Sequence, residues 1–258
     1  MPKVIFITGV SSGIGRAAAL AFARCGDHVA GIARRAERLA ELEAEIHALR
    51  APRGDFLGIV ADVTDAEAVN AAAAQTVERF GRLDVLVANA GIGQRGAIAD
   101  SAWADIETVM RTNMDGVLHS IRAAVPAMRQ GGGGQIIIIS SVSYNLVSPY
   151  AATYAASKAF VSSLANSLRL ELEVDNIAVT DVLAGRTHTE FNERRLGEGK
   201  RTGESLPTMP AEQVAEAIVR AAERRPKRVV LRWFDRLIVW GNIFAPGILG
   251  RLAKRQYR

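Results

Sequence analysis

A chain of 258 residues with 49% apolar side chains is enough for one α/β domain with a sizeable core. Its net charge of +5 is concentrated: residues 224–258 carry ten Lys or Arg against the single acid Asp235, which leaves −4 elsewhere, and with 6% aromatics this excludes an extended nucleic-acid-binding face. One cysteine, Cys25, excludes an internal disulfide framework and reads as a buried helix residue, and four scattered histidines, His28, His47, His119 and His188, exclude a metal site.

The opening MPKVIFITG runs straight into an apolar strand, Lys3 to Thr8, with no charged leader, so a cytoplasmic protein is expected. Gly9-Val-Ser11-Ser12-Gly13-Ile14-Gly15 then leads into an alanine-rich helix. Glycines here let the backbone turn sharply and approach a pyrophosphate, while the helix N-terminus offers free N–H groups and a positive dipole end. The spacing is Gly-x-x-x-Gly-x-Gly, not the commoner Gly-x-Gly-x-x-Gly.

A second strand, His28 to Ile32, ends in Ala33-Arg34-Arg35 and opens a charged helix running to about Arg50. Where NAD-binding proteins place an acid to hold the ribose hydroxyls, this chain has Ala33 followed by two arginines. Arginines at a helix start oppose its dipole unless an anion sits there, so Arg34 and Arg35 point to the 2′-phosphate of NADP, with NAD as the alternative. A third strand, Phe56 to Val60, precedes Asp62-Val63, where Asp62 suits either the adenine amino group or a turn. Thr64-Asp-Ala-Glu67 has the pattern of a capping box for a helix ending near Phe80. A fourth strand, Asp84 to Ala88, runs into Asn89-Ala90-Gly91, small enough for a ribose to lie against the sheet. The alternation predicts an open, doubly wound parallel sheet with ligands beyond the C-terminal ends of its strands.

Helices from Trp103 to Arg129 contain Asn113 and Pro126, and a fifth strand holds Ile136 to Ile139. The next stretch, Ser140 to Lys158, places Tyr154 and Lys158 four residues apart on one helix face. A phenolate near neutrality needs a pKa shift of roughly three units from about 10, or about 4 kcal/mol. One cation about 4 Å away at an effective dielectric near 20 contributes on the order of 4 kcal/mol. Tyr144 and Tyr150 have no cation four residues on. A sixth strand, Ile177 to Leu183, precedes Ala184-Gly185-Arg-Thr187-His-Thr189, and the polar segment 190–207 reads as a mobile lid or a long solvated loop.

With these motifs in order, TGVSSGIG from Thr8 to Gly15, Asp62-Val63, Asn89-Ala90-Gly91, Asn113, Ser141 and Tyr154-Ala-Ala-Ser-Lys158, the chain resembles the short-chain dehydrogenase/reductase family from Val4 to about Val230. The resemblance implies a Rossmann-type, mainly parallel seven-stranded sheet with helices on both faces, and an enzyme moving hydride between a nicotinamide and a carbonyl or secondary alcohol. It implies that Ser141 bonds the substrate oxygen, Tyr154 transfers the proton, Lys158 holds the ribose and lowers the tyrosine pKa, and Asn113 holds a water of a proton relay. Thr187 and Thr189 fall where the family binds the nicotinamide amide and pyrophosphate, although the usual Pro-Gly is Ala184-Gly185 here. The contrasting reading is a dinucleotide sensor or scaffold without turnover.

Beyond Pro210, expected in the first turn of a helix ending near Arg225, a seventh strand spans Arg228 to Leu231. Residues 232–258 form a basic, apolar extension of the single domain 1–258. Its fourteen uncharged residues between Arg236 and Arg251 are too few to span a membrane and are interrupted by Asn242 and Pro246. Packing in a homodimer or homotetramer, cover for an apolar substrate pocket, or peripheral membrane contact are the expected uses.

Overall fold

The computed structural model describes residues 2–51, 53–197 and 207–254. In chain order the elements are β1 (Val4–Thr8), α1 (Gly13–Arg24), β2 (His28–Ala33), α2 (Ala36–His47), β3 (Phe56–Val60), α3 (Ala66–Phe80), β4 (Val85–Ala88), α4 (Trp103–Met110), α5 (Gly116–Gln130), β5 (Gly134–Ser141), α6 (Ala152–Glu171) and β6 (Ile177–Ala184). They are followed by β7 (Thr187–His188), β8 (Met209–Pro210), α7 (Ala211–Arg224), β9 (Arg228–Val230), α8 (Trp233–Phe244) and α9 (Pro246–Lys254).

Seven strands form one sheet in the order β3-β2-β1-β4-β5-β6-β9, and every ladder in it is parallel. Parallel strands covered on both faces must be apolar on both, which is why Val4 to Ile7 of β1 and Ile136 to Ile139 of β5 read as hydrophobic runs. Ile137 and Ile139 of β5 pack into the layer that includes α1, α2 and α7, whereas Ile136 and Ile138 pack into the layer that includes α3, α5 and α6. Burying each isoleucine is worth about 1.5–3 kcal/mol, so this strand fastens both helical layers to the centre of the sheet. The order reverses between β1 and β4, which opens a crevice at the C-terminal strand ends, where the glycine turn, Asn89 and Ser141 all lie.

Three local expectations are corrected. Cys25 is exposed just after α1, where the chain turns at Gly26 with φ 88°. The cap of α3 is Asp65, whose carboxylate accepts from Glu67 N at 2.9 Å and Ala68 N at 3.1 Å. Thr64 is unavailable for that role because its hydroxyl and N–H both donate to Asp62. Pro210 stands one residue before α7, as its cap residue, not in its first turn. Of the expected lid 190–207, residues 198–206 lie outside the described residues, as do 255–258 of the extension. Among the described residues no helix is long and apolar enough to cross a membrane.

Candidate active site

The glycine turn is built for close approach. Gly9 has φ 76° and Gly13 φ 59°, conformations that side chains with a Cβ rarely adopt. A Cβ on Gly15 would strike the Gly9 carbonyl and come within 2.5 Å of the Asn89 amide nitrogen. Asn89 fixes the turn from β4 by donating to Thr8 O at 2.9 Å and Gly9 O at 3.2 Å, and the Thr8 hydroxyl accepts from the N–H groups of Asn89 and Ala90. The first turn of α1 carries no acid, and its N-cap Ser12 makes no side-chain cap bond. Its leading N–H groups and positive dipole end therefore remain available, which fits a dinucleotide pyrophosphate.

At the end of β2, Arg35 donates to the Ser11 hydroxyl at 2.9 Å, so one arginine and one glycine-turn serine meet as a polar corner. Arg34 is mostly exposed and lies 3.5 Å from Asp62. Burial pulls the Asp62 carboxyl upward, but the two bonds from Thr64 and the Arg34 charge hold it below its ordinary value. Neighbouring Val63 is buried against Gly116, where an added Cβ would come 2.7 Å from its Cγ2.

The structure brings Asn113, Ser141, Tyr154 and Lys158 together beside this groove. Asn113 sits in a single π-helical turn, Arg111–Asp115, between α4 and α5, a distortion often found at functional sites. Its buried amide accepts from Ile92 N at 2.8 Å and donates to Ile92 O and to the Ser157 hydroxyl, each at 3.0 Å. A Cβ on Gly91 would lie 3.3 Å from Asn113 Oδ1 and 3.5 Å from Lys158 Nζ, so the small residues after β4 admit both polar groups.

The two serines closing β5 diverge. Ser140 is buried and bonds the carboxylate of Asp181 on β6, whereas Ser141 faces the cleft, accepts from Ser143 and shares a hydrogen bond with Tyr154. Lys158 is buried and donates to the Ile139 carbonyl at 2.8 Å, with its ammonium 5.9 Å from the centre of the Tyr154 ring.

Burial pushes the Tyr154 phenol above its ordinary pKa, with the Ser141 bond pulling the other way. That direction is opposite to the lowering expected from the lysine, because burial of the phenol outweighs what lowers it. Burial also lowers Lys158 from 10.5 to about 8, opposed by the charge of Asp181.

Phe191 and Glu190, unassigned from the sequence, close the other side. Phe191 lies across Tyr154 with ring centres 5.6 Å apart, and a Cβ on Gly93 would meet its ring. Thr189 accepts from Phe191 N and packs against Gly13, while Thr187 donates to Gly185 O from β7. Gly185 leaves room for the ion pair Arg232–Asp235 at the start of α8. Asp181, also unassigned from the sequence, carried a signal as an acid inside a mostly apolar strand. Glu190 and Phe191 carried no such signal within a polar segment.

A doubly wound sheet with an uncapped glycine turn at its crevice defines a dinucleotide-binding protein of the Rossmann type. The sequence pattern of the short chain dehydrogenase family matches residues 3–198. The chain is 34% identical over 264 residues to "Dehydrogenase/reductase SDR family member 7B" of Bos taurus, covering 99% of this chain and 81% of that protein. Among solved structures it is similar to a short chain dehydrogenase/reductase from Burkholderia phymatum in complex with NAD, with TM-score 0.84, 25% identity and 94% of each chain covered. It is also similar to an alcohol dehydrogenase from Thermococcus sibiricus complexed with 5-hydroxy-NADP, with TM-score 0.75, 28% identity and 90% and 94% covered. The chain belongs to the short-chain dehydrogenase/reductase family, NAD(P)-dependent oxidoreductases that act on CH–OH and C=O groups.

Proposed function

We propose that the protein is an NADP-preferring reductase or dehydrogenase of an apolar carbonyl or secondary alcohol, working as a cytoplasmic homodimer or homotetramer. The observation that carries this reading is the convergence of Ser141, Tyr154 and Lys158 beside an anion-ready glycine turn. A bound nicotinamide supplies or accepts the hydride at C4 and, when oxidised, adds a positive charge. Gly9, Ser11, Ser12, Gly13, Ile14 and Gly15 would hold its pyrophosphate side, with Asp62, Val63, Asn89, Ala90 and Gly91 beneath the adenosine and ribose, and Gly185, Thr187 and Thr189 on the far side.

In the reducing direction the raised pKa keeps the Tyr154 phenol protonated at neutral pH, so it can give its proton to the substrate oxygen. Ser141 donates a hydrogen bond to the same oxygen and steadies its developing charge. Lys158 would hold the ribose hydroxyls, and Asn113 would order the water connecting the lysine to solvent. Phe191 gives the site an apolar wall beside Tyr154, which supports an apolar substrate. The pairing of Arg35 with Ser11, and Arg34 beside it, supports the 2′-phosphate. Residues 1–258 would act as one domain, with 190–207 as the proposed lid, of which 190–197 and 207 are described.

The test is a titration of NADPH against NADH, followed by a broad carbonyl panel. Tighter NADPH binding that weakens in Arg34→Ala supports the reading. Equal affinities, or Arg34→Ala without effect, overturn the cofactor preference. Binding with no turnover across the panel, unchanged by Tyr154→Phe, turns the reading to a sensor.

A further inference from the structure

The C-terminal helices have two unlike faces. Their inner face is tied down: Asn145 donates to Val239 O at 3.1 Å, Val147 N donates to Asn242 Oδ1 at 3.4 Å, and buried Gly250 packs on Val147. Asp235, the one acid of residues 224–258, is also on this side, buried and paired with Arg232. The outer face carries Trp233, Leu237, Trp240 and Phe244, a helical i, i+4, i+7, i+11 stripe that ranges from 60% exposed at Leu237 to 77% at Phe244. Ile248 and Leu252 of α9 add further exposed apolar groups, and Trp240 stacks on Phe244. Exposed Arg236, Arg251 and Lys254 are the charges that accompany this stripe.

Among the described residues of α8 and α9 the exposed charges are all cations, and an apolar stripe in that company selects its partner. In a two-fold contact between copies, the cations of one face would oppose those of the other with no carboxylate to pair them. A bilayer bearing anionic headgroups satisfies both parts, with tryptophan rings at the interface and basic side chains at the phosphates. The helices are too short to span, so they would lie flat.

We propose that the outer face of α8 and α9 is a docking surface for anionic lipid bilayers. Because the inner face is bonded to residues 145–147, on the loop from Ser141 to Tyr154, docking sets the substrate side of the cleft beside the membrane. A carbonyl compound dissolved in the bilayer then reaches Tyr154 with little exposure to water. This second step rests on the proposed apolar substrate; the docking itself does not.

The experiment uses the full chain carrying Trp103→Phe, which leaves the two tail tryptophans as reporters, with vesicles of phosphatidylcholine alone or mixed with phosphatidylserine. Binding to the anionic vesicles at low salt, a blue-shifted tryptophan emission and quenching by brominated acyl chains are expected. Trp240→Ser should lower the partition coefficient by about tenfold or more, and Arg251→Gln by about fivefold. Both should keep dinucleotide affinity and turnover of a small water-soluble aldehyde, which shows that the fold is intact. No binding to anionic vesicles at low salt, or undiminished binding by Trp240→Ser, overturns the proposal. So does emission already blue-shifted without lipid in a dimer that Trp240→Ser dissociates. If vesicles bind but a bilayer-dissolved ketone is not reduced, docking stands and the apolar-substrate reading falls.

Discussion

Glu190 places its carboxylate 3.5 Å from the guanidinium of Arg35, the arginine that also bonds Ser11. Arg38 at 3.7 Å and Arg194 at 3.1 Å complete the group around it. An internal carboxylate therefore sits beside Arg35, one of the two arginines proposed to meet a 2′-phosphate, on the same segment that lays Phe191 across Tyr154. Partly exposed ion pairs are worth about 0.2–1 kcal/mol each, small enough for a phosphate to displace. Glu190→Gln should tighten NADPH binding about two- to fivefold while leaving NADH nearly unchanged. Fluorescence titration of both cofactors decides it; weaker NADPH binding in the variant would mean that Glu190 orients Arg35 for the phosphate and does not compete with it.

Tyr154→Phe keeps the ring that packs on Phe191 and removes only the hydroxyl shared with Ser141. Turnover should fall about 10²- to 10⁴-fold, the range for loss of a positioned general acid, with dinucleotide affinity little changed. A variant that loses binding and turnover together would assign the phenol to holding the cofactor.

Asp181 has a wider reach than its place inside a strand suggests. It accepts from Ser140 and Ser162, lies 3.2 Å from Arg228, and its charge raises both Lys158 and Arg169. Asp181→Asn removes the negative charge that opposes burial, so Lys158 should lose its proton below its present value of about 8. The alkaline limb of the pH profiles for cofactor affinity and kcat/KM should move to lower pH. A drop in amplitude with no movement of the limb would leave Asp181 a structural role alone. In the native protein the folded chain releases the Lys158 proton near pH 8 and the unfolded chain near 10.5, so its contribution to stability rises with pH between those values and is level below them.

The sheet was legible because its determinants are local: apolar runs bounded by glycine mark strands, and a glycine trio before an alanine-rich helix marks the turn after β1. Asn113, Ser141, Tyr154 and Lys158 were legible as an ordered set, and the structure gathers them at adjoining element ends. The direction of the Tyr154 shift was not, because burial of the phenol depends on tertiary packing. Spacing could not reveal the π-turn that carries Asn113, nor the way Thr189 packs on Gly13 and Glu190 meets Arg35. Thr64 misled because its hydroxyl had a nearer partner in Asp62 than the helix end.

Two glycines of the C-terminal region should respond oppositely to the same substitution. A Cβ on Gly185 would come 2.5 Å from Asp235 Oδ2 and collide with the Arg232 guanidinium, and that ion pair is held on both sides, by the Pro207 carbonyl and by the start of α8. Gly185→Ala must displace it, at a cost of about 1–3 kcal/mol. At about 2–4 °C per kcal/mol for a chain of this size, Tm should fall by several degrees, and Thr187, bonded to Gly185 O, should shift enough to weaken dinucleotide binding. A Cβ added to Gly247, in the first turn of α9, would meet nothing within 4 Å, so Gly247→Ala should leave Tm unchanged or raise it by the helix preference of about 0.5–1 kcal/mol. Thermal unfolding of both variants separates the cases: if Gly185→Ala is as stable as the native chain, the ion pair moves aside without cost and does not require a glycine beneath it.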